Sequence, residues 1–260
     1  MALTKGSLFL YGFQVTSLNN YVDFRAASLG PELSAVLRQG YYSLTALMQE
    51  IVRAMNAADP NNIYSYSIDR TLNGGTENRV TISTDGAYLD LLFGSGTHST
   101  ISCAPLIGFS LTDQTGATSY QSTSTAGTVL QPTLTGYTYV PTTMQKRVIG
   151  SVNIAASGEK EVVTFATHQF FNVEFKYEPQ AKVISEWQDL VDWMINGRLF
   201  EFTPDITDPN TVVDCTLEKT GYDSKGLGFM WREMLPDFPF LYQTGVMTFR
   251  KRPAQTSYTI

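Results

Sequence analysis

The segment SEWQDLVDWMING, residues 185–197, predicts a helix set among strand-like sequence. Ser185 followed by Gln188 matches a capping box, so we expect the helix to cover residues 186–195. Asn196-Gly197 is expected to end it, because both residues tolerate the left-handed backbone of a helix C-terminus. Its apolar residues recur at helical spacing and are expected on one face: Trp187, Leu190, Val191 and Met194.

Strand-like sequence surrounds this helix. Apolar residues alternate with polar ones at Phe171, Val173, Phe175 and Tyr177, and again where Phe200 and Phe202 bracket Glu201. A period of two is typical of half-buried strands. We therefore expect residues 146–252 to form a β-sandwich flanked by one α-helix, followed by a polar tail over residues 253–260.

The first half of the chain predicts a peripheral α+β domain over residues 1–118, a small sheet with one amphipathic helix. Ser43 is a good N-cap, and Asp59-Pro60 is expected to stop the helix because proline disfavours helical geometry in the preceding residue. Strand-like residues 64–68 and 80–83 flank Asn73-Gly74-Gly75, which predicts a hairpin. The apolar helix face consists of Leu44, Leu47, Met48, Ile51 and Met55.

Residues 119–145 are expected to be a linker or an extended arm. They are rich in Thr, Ser, Gly, Tyr and Pro and show no sustained period. A structureless run of this length is unusual inside a compact domain. The whole sequence therefore predicts a mainly β (α+β) fold with two domains.

Composition favours a subunit of an assembly over a free monomer. Charged residues make up 16% of the chain and aromatic residues 12%, whereas average soluble domains carry about 25% charged residues. We expect so lightly charged a surface to be covered by neighbours. The net charge of −6 offers no basic footprint for phosphates, so DNA is expected to pass without specific binding.

The sequence predicts neither catalysis, nor a cofactor, nor a metal site. The glycine-rich residues 94–97 lack the lysine of a phosphate-binding P-loop. His98 and His168 have no Cys, His, Asp or Glu at the short offsets of metal sites. Two distant carboxylates could still meet in space, an alternative that sequence leaves open.

The same features predict a cytosolic chain. No apolar run approaches the ~20 residues that span a bilayer, so no membrane insertion is expected. The N-terminus lacks the apolar core of a signal peptide. Cys103 and Cys215 are expected to be buried thiols within strands, because a disulfide would have to cross the two proposed domains.

Several short motifs stand out in both halves of the chain. In the first half, residues 105–109, PLIGF, are followed by Asp113, Gly116-Ala117 and Ser119-Tyr120. The second half contains VIGSVN (148–153), ASG (156–158) and FPFLY (238–242). Together these segments resemble structural proteins of tailed-bacteriophage virions. The resemblance implies a tail component of the distal tail or tail-tube ring type, with residues 146–252 as the ring-forming domain and no catalytic residue.

The resemblance also implies partners and a location. Copies of the chain are expected to form a ring, with a hexamer as the expected stoichiometry, that connects the tail tube to the tail tip or baseplate. Its other partners would be the tube, hub and tip-fibre proteins of a virion tail assembled in the host bacterial cytoplasm. The domain order departs from that of distal tail proteins, in which the ring domain comes first. The alternatives are a head–tail connector, a capsid-surface protein, or a receptor- or glycan-binding module of the tail tip.

Aromatic residues are the candidate contacts between subunits, because interfaces are enriched in them. Trp193 is expected to lie off the apolar face of its helix, where a neighbour could cover it. The full set of candidates is Trp193, Trp231, Phe238, Phe240, Tyr137 and Tyr139. We also expect residues 146–252 to form rings on their own.

Overall fold

The computed structural model describes residues 8–71, 77–130, 145–154, 157, 160–205, 208–220, 232–235 and 238–252; for 145–153, 160–167, 209, 232–235 and 238–240 it describes the backbone alone. The fold is mainly β, as predicted. The chain divides into two compact units. The N-terminal unit is Phe9–Val129, and the C-terminal unit is Met1–Leu8 with Leu130–Ile260.

In its described residues the N-terminal unit contains one α-helix and several small sheets, whereas the sequence predicts one sheet. The strands are β1 (Phe9–Tyr11), β2 (Phe13–Val15), β3 (Tyr21–Arg25), β4 (Leu33–Val36), β5 (Gly40–Tyr42), β6 (Tyr64–Ile68), β7 (Val80–Thr84), β8 (Leu89–Leu91), β9 (Gln114–Ala117), β10 (Ser119–Gln121) and β11 (Thr128–Leu130). Strands β4-β3-β8-β9 form one sheet in that order, β10-β7-β6 form a second, and β2 pairs with β5 while β11 pairs with β1. Short 3-10 turns cover Ser99–Ile101 and Ala104–Ile107.

Helix α1 (Leu44–Ala58) matches its predicted caps and buried face. The Ser43 hydroxyl accepts a hydrogen bond from the backbone N–H of Ala46 at 3.1 Å, which satisfies one of the unpaired amides of the first turn. Asp59 closes the helix. The predicted apolar face lies in the core of this unit: Leu44, Leu47, Met48, Ile51 and Met55.

The segment expected to begin the linker carries β10 and β11. Strand β10 pairs with β7, with Ser119 opposite Ser83 and Gln121 opposite Thr81. These residues therefore belong to a sheet of the N-terminal unit. The rest of the expected linker, residues 131–144, lies outside the described residues, as does the predicted turn Asn73-Gly74-Gly75.

Where the structure describes the C-terminal unit, it holds two antiparallel groups of strands and one helical segment. The strands are β12 (Gln145–Ile154), β13 (Lys160–Phe175), β14 (Glu178–Pro179), β15 (Phe200–Phe202), β16 (Val213–Lys219), β17 (Arg232–Leu235), β18 (Phe238–Gln243) and β19 (Gly245–Lys251). Strands β15-β16-β19-β13-β12 follow one another in a sheet, and β14-β18-β17 form another. A β-sandwich stays our prediction for this unit. A 3-10 turn covers Pro209–Thr211.

The helical segment begins earlier than predicted. It consists of α2 (Gln180–Lys182), a π-helical turn (Val183–Trp187) and α3 (Gln188–Ile195). Pro179 has φ −63°, a value that already suits entry into a helix. Ser185 therefore lies inside the helical segment, and the predicted capping box is wrong. The predicted end is confirmed, since Asn196 is the C-cap and Gly197 has φ +69°.

The predicted alternation along β13 holds as far as Phe175. Phe171, Val173 and Phe175 are buried. Tyr177 does not continue the strand, because its φ of +61° turns the chain and leaves its side chain 45% exposed. None of the helices in the described part of the chain combines the length and apolar character that crossing a bilayer requires.

Candidate functional site

Three side chains with metal-ligand chemistry converge in the N-terminal unit. Asp23 lies in β3, Glu32 directly precedes β4, and His98 lies in the turns that follow β8. Each offers one ligand atom, and these atoms lie within 4.8 Å of one another. We call these three residues the carboxylate–histidine cluster.

Asp23 is the buried member of the cluster, with 3% of its surface exposed. Its Oδ1 accepts a hydrogen bond from the Ser34 hydroxyl at 2.6 Å and lies 3.0 Å from His98 Nδ1. Its Oδ2 accepts a hydrogen bond from the backbone N–H of His98 at 2.5 Å. The carboxylate is therefore held on both oxygens.

The imidazole of His98 is fixed by stacking. The ring of Tyr21 lies parallel to it, with centroids 3.9 Å apart and an interplanar angle of 9°. The Ser34 hydroxyl lies 3.4 Å from Nδ1. Packing on one face and polar contacts at Nδ1 together set the plane and rotation of the ring.

Glu32 and Gly96 complete the geometry of the cluster. Glu32 Oε1 accepts a hydrogen bond from the backbone N–H of Thr97 at 2.7 Å. A Cβ atom on Gly96 would lie 2.6 Å from Asp23 Cβ and 2.7 Å from Asp23 Oδ2. Only glycine lets the turn close over the carboxylate in this way.

No Lys or Arg in the described part of the chain forms a salt bridge with Asp23 or Glu32. The ionisable group that faces Asp23 is the imidazole of His98, with Nδ1 3.0 Å from Asp23 Oδ1. A buried carboxylate without a counter-charge is costly. Such a cluster favours a cation.

The arrangement differs from a Ser-His-Asp triad, although Ser34, His98 and Asp23 are neighbours. In a triad the serine and the carboxylate occupy opposite nitrogens of the imidazole. Here both the Ser34 hydroxyl and the Asp23 carboxylate lie at Nδ1 of His98. The Asp23 carboxylate therefore does not orient the imidazole from the nitrogen opposite to the serine, as a triad requires. This geometry does not activate Ser34 as a nucleophile.

Sequence reasoning missed this cluster. The sequence around His98 predicts no metal site, because no Cys, His, Asp or Glu lies at the short offsets typical of one. Asp23 reaches it because the backbone N–H of Leu92 donates to the Asp23 carbonyl oxygen at 2.8 Å, which joins β3 to the chain that follows β8. Such a long-range pairing leaves no local pattern.

Trp193, the first candidate for a subunit contact, is buried within its own unit. Its side chain is 6% exposed, and Nε1 donates to the carbonyl oxygen of Leu199 at 2.6 Å. The Arg198 guanidinium lies 5.0 Å from the ring centroid. The expectation that Trp193 lies off the buried face is wrong, because the turn after α3 folds back and covers the indole.

The other candidate contacts are not described by the structure. Trp231, Tyr137 and Tyr139 lie outside the described residues, and Phe238 and Phe240 belong to β18, where the backbone alone is described. Their proposed role at an interface stays a prediction.

Glu178 is a buried carboxylate of the C-terminal unit. It is 1% exposed, and its Oε2 accepts a hydrogen bond from Trp187 Nε1 at 3.2 Å. Burial raises the pKa of Glu178, and this effect outweighs the Trp187 hydrogen bond and the nearby charge of Lys182, which both lower it. Trp187 itself packs edge-on against Phe175 with centroids 4.8 Å apart.

A basic cavity opens at one face of the C-terminal sheet. Its volume is about 330 Å³, and Thr216 lies opposite Arg250 across β16 and β19. His168 Nδ1 is buried without a hydrogen-bond partner among the described residues. The lining is His168, Gly197, Leu199, Thr216, Arg250 and Arg252.

Both cysteines are free and buried, as predicted. Cys215 lies in β16, but Cys103 lies at the start of the Ala104–Ile107 turn and not in a strand. Burial raises the pKa of the Cys103 thiol to about 12 and raises that of Cys215 well above its usual range. Thiols of this kind are poor nucleophiles and poor metal ligands.

The C-terminal sheet ends in a long hairpin. Strand β13 pairs with β19 over residues 170–175 and with β12 over residues 160–170. Among the described strands β12 is the last of the sheet. One rim of the hairpin is therefore an open strand edge in the described structure.

No protein-family model and no curated protein matches this chain. The relation to phage tail proteins therefore stays a resemblance of sequence motifs.

Proposed function

We propose that the protein is a structural, non-enzymatic subunit of a bacteriophage tail. Copies of it form a ring, hexameric by resemblance to tail proteins, that connects the tail tube to the tail tip or baseplate. Other tail proteins bind the ring, and DNA passes through it without specific binding. The observation that carries the proposal is the hairpin of β12 and β13 in the C-terminal unit.

The hairpin has the physical properties of an assembly element. Strand β13 has 16 residues, which corresponds to a length of about 50 Å. A two-stranded ribbon is only marginally stable in water by itself. A partner strand along β12 would satisfy the N–H and C=O groups of its edge and add a third strand to the ribbon. In a homo-oligomer that partner comes from a second copy of the chain.

The amino-acid composition also supports assembly through the edge of β12. With 16% charged residues, the chain carries few of the charges that keep exposed sheet edges from pairing. At the tip of the hairpin Ile154 is 71% exposed. Lys146 and Arg147 lie near the start of β12, but residues 148–154 carry no charged side chain. An uncharged stretch of strand edge that ends in an exposed apolar tip favours burial against a neighbour over exposure to water.

Charges placed on β12 test this proposal. We expect the double variant Ser151→Lys and Asn153→Lys to lose ring formation, because ammonium groups along the edge repel those of the next copy. Negative-stain electron microscopy and size-exclusion chromatography with light scattering give the readout. Far-UV circular dichroism checks that the variant keeps its β structure.

Leu18→Lys is the matched control. It adds the same side chain at a turn of the N-terminal unit, where Leu18 is 75% exposed. This variant should form rings as the wild type does. Rings from the β12 variant that match those of the wild type would overturn the role of the hairpin.

A further inference from the structure

We propose that the carboxylate–histidine cluster binds one divalent metal ion, through Asp23, Glu32 and His98. The inference concerns the N-terminal unit alone and does not depend on ring formation. It goes beyond the proposed function, because it assigns a ligand site in a unit for which ring formation requires none.

The distances suit a metal ion. In zinc sites each ligand atom lies about 2.0–2.2 Å from the metal, so that two ligand atoms of a tetrahedron lie ~3.3 Å apart. His98 Nδ1 and Asp23 Oδ1 are 3.0 Å apart. The ligand atom of Glu32 lies within 4.8 Å of both.

The cluster is preorganised by residues that are not ligands. Tyr21 holds the imidazole plane by stacking, and the Ser34 hydroxyl holds the Asp23 carboxylate by a hydrogen bond. Gly96 allows the turn to approach the carboxylate without a steric clash. Supporting contacts of this kind orient metal ligands and raise their affinity.

Charge supplies the driving force. Two carboxylates point to one place, and within the described residues no Lys or Arg forms a salt bridge with either. A divalent ion compensates both charges. It also links β3, the residue before β4 and the turn after β8, so binding should stabilise the N-terminal unit by mass action.

The donor set selects the class of ion. Calcium takes six to eight oxygen ligands, whereas one imidazole nitrogen with two carboxylates suits a first-row transition ion or zinc. Three protein ligands leave positions for water. We therefore assign the site to Zn²⁺ or Mn²⁺.

The two histidines of the chain provide a test in the wild-type protein. Mn²⁺ is titrated into protein labelled with ¹⁵N at histidine, and the imidazole signals are followed by NMR. We expect the His98 signals to broaden first, at one ion per chain, while the His168 signals stay sharp. Equal broadening of both histidines, or none, would overturn the proposal.

Variants test the ligands one at a time. Glu32→Gln and His98→Gln should each weaken Zn²⁺ binding, measured by calorimetry, by at least about tenfold. Asp113→Asn is the matched control, because Asp113 accepts hydrogen bonds from the backbone of Gly94 and Ser95 and so holds the same turn without belonging to the cluster. It should bind Zn²⁺ like the wild type. Zn²⁺ affinities that are unchanged in both ligand variants would also overturn the assignment.

Discussion

Glu178 shows how a single buried residue couples folding to pH. Because burial raises its pKa above the ordinary value of 4.5, the native state binds a proton more tightly than the unfolded state. The stability that protonation contributes is fully present below the ordinary pKa. It is lost as the pH rises through the raised pKa of the folded protein.

Glu178→Gln should remove this pH dependence. The amide has nearly the shape of the protonated acid and can still accept the hydrogen bond from Trp187. We therefore expect the free energy of unfolding of the wild type, relative to the variant, to fall as the pH rises from below 4.5 through the raised pKa of Glu178. Urea unfolding followed by tryptophan fluorescence measures it. A constant difference across this range would contradict the pKa shift.

For single residues, helical spacing in the sequence predicts which apolar side chains share a face. It does not predict which distant segment packs over each side chain. Helical spacing places Trp187 and Trp193 on different faces of the predicted helix, and so predicts that a neighbouring subunit covers Trp193. Trp193 is instead buried within its own unit, because the backbone turns after Gly197 and brings the Leu199 carbonyl oxygen to the indole. The carboxylate–histidine cluster was missed for a related reason, since its members meet only through long-range strand contacts.

At the element scale, the two helices show when a capping signal works. Ser43 follows a short strand directly, so its extended φ and ψ of −75° and 166° leave the hydroxyl free to cap. Ser185 is also a residue type that caps helices, and Gln188 follows it at the spacing of a capping box. Helical structure has already begun at Gln180, however, so the backbone around Ser185 offers no unpaired first-turn amide. A local motif specifies a cap only where the chain enters the helix.

Alanine at these two serines separates the roles. Ser43→Ala should destabilise the N-terminal unit by about 1 kcal/mol, because the amide of Ala46 loses its partner. Ser185→Ala should be neutral or slightly stabilising, because alanine favours the helical conformation over serine by about 0.5 kcal/mol. Chemical denaturation of both variants gives the comparison. A larger loss of stability for Ser185→Ala than for Ser43→Ala would show that Ser185 does cap the helix.

At the scale of the whole molecule, the mainly β fold was predictable but the division into sheets was not. The alternation of apolar and polar residues predicts strands before and after β13 in the sequence. The partners of a strand are set by distant residues instead: β3 pairs with β4 nearby and with β8 much later in the chain. The sequence also predicts strands at residues 148–154 and 171–175. It does not predict that β13 extends beyond its pairing with β19 and forms a long hairpin with β12.

We propose that this chain functions by assembling with copies of itself, and sedimentation velocity of the full chain over a wide range of concentrations tests this proposal. We expect the 28.8 kDa chain to convert with rising concentration into one discrete assembly with the mass of six chains. A single 28.8 kDa species at every concentration would contradict it.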